Sequence, residues 1–163
     1  MEIIRSGEQV VIAHLDIFSC EMLRLIPFAA DPAGNSEVEE RLFSKPEALE
    51  GEFTKDWRSY VEPGLRHLFV SAVETVAADL KNLEETVMED GTPLRRIRIP
   101  AAHLDAWVNA INQARLVIAT RYHFTERDLD GSLPEEITTD RDVSLVQIHV
   151  YDFLLLSLLH ELE

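Results

Sequence analysis

The chain has 163 residues, 46% of them hydrophobic, and its 30 acidic and 15 basic side chains give a formal charge of −15 at pH 7. This length and hydrophobic content predict one folded domain with its own core and exclude wholesale disorder. The charge argues against nucleic acid and anionic lipid as partners, because an acidic surface repels the phosphates of both.

The N-terminal residues predict a β-hairpin followed by a helix. β-Branched residues on either side of Ser6-Gly7 are typical of a hairpin over residues 1–14. Apolar residues then recur at helical spacing from Asp16, a favourable N-cap, to Pro27. The only cysteine, Cys20, lies in this helix. It is expected to be a buried thiol, and it excludes a disulfide within the chain.

Residues 31–56 are the least defined part of the prediction. They hold eight acidic and three basic side chains. Turn residues at 31–36 predict a loop, and short helices are expected at 36–43 and 53–61. We expect part of this acidic segment to be mobile.

A long amphipathic helix is predicted from Pro63, because apolar residues follow three-four spacing as far as Val87. Asp79 is assigned to its polar face. Gly91-Thr92-Pro93 is expected to end the helix. Arginine and apolar residues are then mixed over residues 94–99, which predicts a third strand beside the hairpin.

Two more helices are predicted in the C-terminal half. One runs from Pro100 to His123, with Gln113 and Thr120 away from its apolar arc. Thr125-Glu126-Arg127-Asp128, which follows it, predicts a capped short turn of helix. The other covers residues 140–162 and is apolar on nearly every face, which is typical of a central helix packed on several sides. The alternative left open is that one of its faces closes a homodimer.

These elements predict an α+β, predominantly α, single domain over residues 1–163. We expect a bundle of about five to six helices around a central C-terminal helix, with a small antiparallel sheet built from the N-terminal hairpin and the strand near 94–99. Polar residues interrupt the last helix, which argues against a membrane span. The first residues do not resemble a signal peptide, so a cytoplasmic location is expected.

Two charged residues occupy positions where apolar ones are expected. At 100° per residue, Arg115 falls in the apolar arc of its helix, and Asp152 lies among the leucines of the last helix. An isolated buried charge is strongly destabilising, so we predict that Arg115 and Asp152 form a buried ion pair between the two helices. A structural clamp is the favoured interpretation, and the polar floor of a pocket is the alternative.

The sequence contains few patterns that indicate catalysis. None of the six histidines lies in a recognised zinc motif. His149 and Asp152 share a helical face and could hold a metal with a third ligand, which leaves a small metal-dependent hydrolase as an alternative. No phosphate-binding glycine loop or nucleophile elbow is present, and no cofactor is predicted. The basic cluster at 95–98 is expected to protect a strand edge from aggregation.

Three segments carry a family resemblance. Residues 106–116, Ala-Trp-Val-Asn-Ala-Ile-Asn-Gln-Ala-Arg-Leu, with Thr120-Arg121 after them, resemble the A-W-x-x-A-x-N-x-A-R-L and T-R pattern of an uncharacterised bacterial family, the domain of unknown function numbered 2017. Residues 150–153 are similar to its V-Y-D-W motif, with Phe153 in place of tryptophan. Residues 21–24, Glu-Met-Leu-Arg, are a looser match, and the acidic segment has no clear counterpart.

The resemblance implies an interaction or regulatory role and no established activity. In actinobacteria, genes of this family often neighbour the adaptor that delivers N-degron substrates to the Clp protease, which implies a protein partner in that system. Some members carry a transcriptional-regulator label, which the acidic charge does not favour. We therefore expect a non-enzymatic interaction module, with the hydrolase and the regulator as alternatives. The matching segments add four candidate residues to the polar pair: Arg24, Trp107, Asn112 and Tyr151.

Overall fold

A computed structural model describes residues 1–44, 51–88 and 91–162. Within these ranges four antiparallel strands form one sheet in the order β1-β2-β4-β3. The strands are β1 (Glu2–Ser6), β2 (Gln9–Leu15), β3 (Glu84–Val87) and β4 (Pro93–Pro100). The predicted hairpin and third strand are both present. The hairpin turns at Gly7, whose φ of 63° is one that glycine adopts without strain.

The fourth strand, β3, was not predicted. The helix expected to reach Val87 ends at Asp79, is followed by a 3₁₀ turn over Leu80–Asn82, and gives way to β3. Opposite charges stabilise the pairing of β3 with β4, because Glu85 faces Arg95 and Glu84 faces Arg96 across the strands. The helical spacing of Leu83 and Val87 was therefore misleading.

Helices make up most of the remaining structure and confirm the predominantly α class. In chain order they are α1 (Ile17–Ala29), α2 (Ser36–Leu42), α3 (Glu52–Asp56), α4 (Glu62–Asp79), α5 (Leu104–Arg121), α6 (Glu126–Leu129) and α7 (Asp140–His160). A π-helical turn over Trp57–Val61 joins α3 to α4, and a 3₁₀ turn over Ala101–His103 precedes α5. As predicted, Asp16 caps α1 by accepting a hydrogen bond of 2.6 Å from the Ser19 amide.

The acidic segment packs through its first helix. Val38 and Leu42 of α2 are buried against Val117 of α5, with Phe43 and Phe69 beside them. The Phe43 and Phe69 rings lie 5.6 Å apart, and the Arg66 guanidinium lies 4.0 Å above the Phe43 ring. The prediction that part of this segment is mobile also covers residues 45–50. These residues lie outside the described ones, so the prediction is not tested there.

The central helix is α5 and not the C-terminal helix, so that part of the predicted arrangement is wrong. Helix α5 packs against α1, α2, α4 and α7, whereas the main contact of α7 is with α5. Ala110 and Ala114 of α5 are fully buried, and such small side chains let neighbouring helices approach closely from several directions. Trp107 and Ile111, larger side chains of the same helix, are also fully buried in the core.

Helix α7 buries one face and exposes the other. Leu154 and Leu158 are fully buried. Its outer face, which we define as Val143, Phe153, Leu156 and Leu159, is between 41% and 69% exposed. Within the described ranges, α7 is the one helix whose length and composition would suit a membrane span. Apolar core helices of water-soluble proteins meet the same criterion, so the expected absence of a membrane partner stays a prediction.

Candidate functional site

The predicted polar pair is in contact. Arg115 projects from α5 and Asp152 from α7, and Nη2 of the arginine forms an ion pair with Oδ1 of the aspartate. The two side chains are 28% and 29% exposed, so the pair is partly exposed to solvent and not buried as predicted. Arg115 Nη1 also donates to Asn112 Oδ1 at 3.3 Å, while the buried Arg115 Nε has no hydrogen-bond partner within the described chain.

The ion pair lies in an open groove between α5, α6 and α7. The groove encloses about 550 Å³. Its lining, which defines the α5–α7 groove, is Arg115, Glu126, Leu129, Asp130, Asp152, Leu155 and Leu156. Three leucines form the apolar part of this lining, and its charged part consists of three carboxylates and one guanidinium. The groove is therefore both apolar and acidic.

Helix α6 forms one wall of the groove and is held by its cap. The Thr125 and Asp128 side chains form a capping box, as the sequence predicted. Hydrogen bonds from Thr125 lower the pKa of Asp128 to about 2, so its carboxylate is ionised at neutral pH. Arg141 of α7 then bridges to Asp128 at 3.2 Å and lies 4.5 Å above the Phe124 ring. These contacts fix α6 against the N-terminal end of α7.

The apolar lining of the groove continues along α7. Leu155, Leu156 and Leu159 follow Asp152 at intervals of three, four and seven residues, so they share its side of the helix. Leu156 is 69% exposed and Leu159 is 41% exposed. Leu156 belongs both to the groove lining and to the outer face of α7, so the two apolar surfaces adjoin at this residue.

Trp107 belongs to a polar cluster at the end of α4 that was not predicted from the sequence. Its indole Nε1 donates a hydrogen bond of 2.9 Å to Asp79 Oδ2. His103 Nδ1 lies 3.0 Å from both oxygens of the same carboxylate. Asp79 is only 5% exposed, so its assignment to the polar face of α4 was wrong. The cluster ties the end of α4 to the start of α5.

Tyr151 of α7, like Trp107 of α5, is a buried aromatic residue that forms a hydrogen bond to another helix. Its hydroxyl donates to the Met22 carbonyl at 3.0 Å and accepts from Gln147 Nε2 at 2.8 Å. Burial raises the pKa of this hydroxyl well above its ordinary value, so Tyr151 is neutral in the physiological range. The residue therefore fixes α7 against α1.

Gln113 and Thr120 are also buried, contrary to their predicted place on the polar side of α5. Gln113 Nε2 donates to the Ala30 carbonyl at 2.8 Å, and Thr120 Oγ1 donates to the Leu116 carbonyl at 2.8 Å. Because α5 is central, even its more polar side is covered by neighbours. These hydrogen bonds satisfy the Gln113 amide nitrogen and the Thr120 hydroxyl, whereas Gln113 Oε1 is buried without a hydrogen-bond partner among the described residues.

The other candidate residues are not brought together into one site. Arg24 is exposed and pairs with Glu21 on its own helix at 2.6 Å. Asn112 is exposed and accepts a hydrogen bond from Arg115 at the rim of the groove. Burial raises the pKa of the Cys20 thiol, which disfavours its nucleophilic thiolate form.

The geometry gives no support to the metal-site alternative. Across the described ranges, no group of three or more His, Cys, Asp and Glu side chains is placed to hold a metal ion. His149 Nε2 is buried without a hydrogen-bond partner among the residues described, and the Asp152 carboxylate is engaged by Arg115. The third ligand that the alternative requires is thus missing from this part of the chain.

The structure defines a mostly helical α+β domain with an acidic, apolar groove on one side of its C-terminal helix. The family model of a domain of unknown function (DUF2017) matches residues 8–161. The chain therefore belongs to this family, which confirms the resemblance seen in its motifs. No curated protein and no solved structure matches the chain.

A double-mutant cycle on Arg115→Ala and Asp152→Ala measures the strength of the ion pair. We expect each single substitution to lower the free energy of unfolding by about 1–2 kcal/mol, between the values typical of exposed and buried pairs. The coupling energy should be about 0.5–1 kcal/mol and should fall at high salt. Urea denaturation of the four proteins gives these values, and a coupling of zero at low salt would contradict a stabilising pair.

Proposed function

We propose that this domain is a non-enzymatic interaction module that binds a partner protein through the α5–α7 groove and the outer face of α7. The observation that carries the proposal is the exposure of Leu156 at 69% and Phe153 at 49% on an apolar helix. Single exposed leucines are ordinary on protein surfaces, whereas a contiguous apolar strip marks a binding surface.

The outer face is not needed to hold α7 in place. Leu154, Leu158 and Tyr151 attach the helix from the opposite side and are fully buried. A firmly attached helix with apolar residues on its free side can present them to a partner at little cost in conformational entropy. This separation of an attached face from a free face supports an interaction role.

The partner candidate is the Clp adaptor system, and the proposed role is accessory to regulated proteolysis. Support for this choice is the family membership together with the gene neighbourhood that the resemblance implies. Duplex DNA is a poorer fit, since the chain carries a charge of −15. The arginines of β4 that could contact phosphates are paired with Glu84 and Glu85.

Site-specific photo-crosslinking in the source cells tests the proposal. A photoreactive phenylalanine replaces Leu156 in one variant and Val70 of α4, which is 57% exposed, in the control variant. We expect a discrete crosslinked protein at position 156 and none of the same mass at position 70. Mass spectrometry of the product identifies the partner, and the adaptor or a Clp subunit is the expected protein.

Three further results decide the outcome. Adding Phe153→Asp to the position 156 variant should abolish the crosslink, because a charge on the outer face opposes an apolar contact. A different protein at position 156 would remove the Clp assignment and keep the interaction role. No crosslink at position 156, in cells where the variant is folded and abundant, would overturn the proposed function.

A further inference from the structure

We infer that the α5–α7 groove takes a basic amphipathic segment of the partner protein, with lysine or arginine seated at Glu126 and Asp130 and apolar side chains laid along Leu155, Leu156 and Leu159. This inference rests on the proposed function and adds the chemistry of the partner to it. It follows from two properties of the groove, its apolar strip and its unneutralised carboxylates.

The apolar strip fits a helical or extended segment rather than a small molecule. The groove is open, and its leucines are continued beyond it by Leu159 of the same helix. An amphipathic helix presents apolar residues at intervals of three and four, and Leu155 and Leu156 precede Leu159 by four and three residues. A partner segment of this kind would lie along α7 and cover the strip.

The charges of the groove select a basic partner. Arg115 is already paired with Asp152, so the groove's own cation does not neutralise the other two carboxylates. Glu126 and Asp130 are exposed, and neither carboxylate forms an ion pair with a residue of the described chain. A lysine of the partner can pack its methylenes on Leu129 while its ammonium group reaches these carboxylates.

The same charges disfavour the other possible occupants. A second copy of the chain would bring a further charge of −15 to a groove that is already acidic. Anionic lipid headgroups and nucleic acid phosphates would meet Glu126 and Asp130 directly. A positively charged protein segment is the occupant that gains from both the apolar strip and the carboxylates.

Binding of two designed peptides to the full-length chain tests this inference by fluorescence anisotropy. The first peptide is a labelled amphipathic helix of about four turns with leucines on one face and lysines beside them. The second replaces every lysine with glutamate. We expect the basic peptide to bind at least about tenfold more tightly at low salt, and the difference to shrink at high salt.

Three variants test whether the preference for the basic peptide arises from the groove. The double variant Glu126→Gln/Asp130→Asn should weaken binding of the basic peptide by about fivefold to tenfold. The control Glu8→Gln/Glu74→Gln makes the same change in net charge at exposed residues outside the groove and should leave the affinity within about twofold. Arg115→Met should instead tighten binding, since it frees the Asp152 carboxylate, and a merely damaged fold would not produce that direction of change.

Each contrary result overturns the inference. Equal affinity for the two peptides removes the charge preference, and equal weakening by the groove and control variants removes the groove as its location. A dimer in sedimentation velocity that Leu156→Glu dissociates assigns the strip to a second copy, and flotation with anionic vesicles assigns it to lipid. A crosslinked partner at position 156 without a basic preference leaves the proposed function standing while this inference fails.

Discussion

Replacing Trp107 with alanine is expected to lower the free energy of unfolding by about 3–5 kcal/mol, the range typical of a large aromatic side chain removed from a core. Trp107 is fully buried, and it is the donor that engages Asp79 Oδ2. The substitution leaves a cavity in the central helix and removes one of the two groups that satisfy a buried carboxylate. Urea denaturation followed by circular dichroism measures the loss.

Trp107→Phe and His103→Ala separate the packing of the cluster from its hydrogen bonds. The phenylalanine keeps most of the apolar volume but lacks the indole donor, so we expect a loss of about 1–3 kcal/mol. The His103 side chain is 41% exposed, so its removal should cost less than about 1 kcal/mol. If Trp107→Ala lowers the free energy of unfolding no more than His103→Ala does, then Trp107 does not stabilise the contact between α4 and α5 as proposed.

The elements with strong local signals were predictable from the sequence. The hairpin at Gly7, the N-cap Asp16 and the capping box that starts at Thr125 depend on a few adjacent residues, and the structure has all of them. The mixture of arginine and apolar residues in β4 was equally informative, because arginine and isoleucine alternate over residues 96–99 and alternate side chains of a strand point to opposite faces of its sheet. These features required no knowledge of distant contacts.

Strand β3 was missed for a physical reason. Its four residues, Glu84–Val87, are half acidic, and Val87 continues the apolar spacing of α4. Their extended conformation depends on pairing with β4, where Arg95, Arg96 and Arg98 neutralise the two glutamates. Such a strand is defined by its neighbour, and no local pattern in the sequence reveals that neighbour.

Asp79 was missed although the sequence contained a signal. It lies seven residues after Ala72 and three after Val76, which places all three on one helical face. Ala72 and Val76 are buried, and Asp79 is buried with them. A carboxylate on such a face requires donors, and the Trp107 indole supplies one of them. The helical wheel could therefore have placed Asp79 in the core, although not its partners.

The functional surface was predictable only in part. Arg115 and Asp152 were identified from the sequence because they are charged residues at apolar helical positions, and the structure places the two in contact at the groove. Glu126 and Asp130 complete the acidic lining from α6, a helix of four residues whose position relative to α7 depends on Arg141 and Phe124. Charges distributed over three helices converge only in the folded chain.

Substitutions at Leu154 and Leu156 should differ sharply although the two residues are neighbours on α7. Leu154 is fully buried and Leu156 is 69% exposed. We expect Leu154→Ala to lower the free energy of unfolding by about 2–5 kcal/mol, through lost burial and the cavity left behind. Leu156→Ala should change it by less than about 0.5 kcal/mol, because its side chain is largely hydrated in both states. Thermal and urea denaturation of both variants supply the comparison.

This contrast shows whether the exposed apolar residues of α7 contribute to the stability of the fold or are available for binding a partner. If α7 were the central helix of the bundle, alanine at either position would lower the free energy of unfolding by several kcal/mol. That result would support the central position of α7 that the sequence predicted. A tolerated Leu156→Ala shows that the fold does not require the exposed leucine. If Phe153→Asp on the same face also abolishes the crosslink at position 156, then the apolar outer face of α7 serves binding, because stability alone gives no reason to keep a leucine in contact with water.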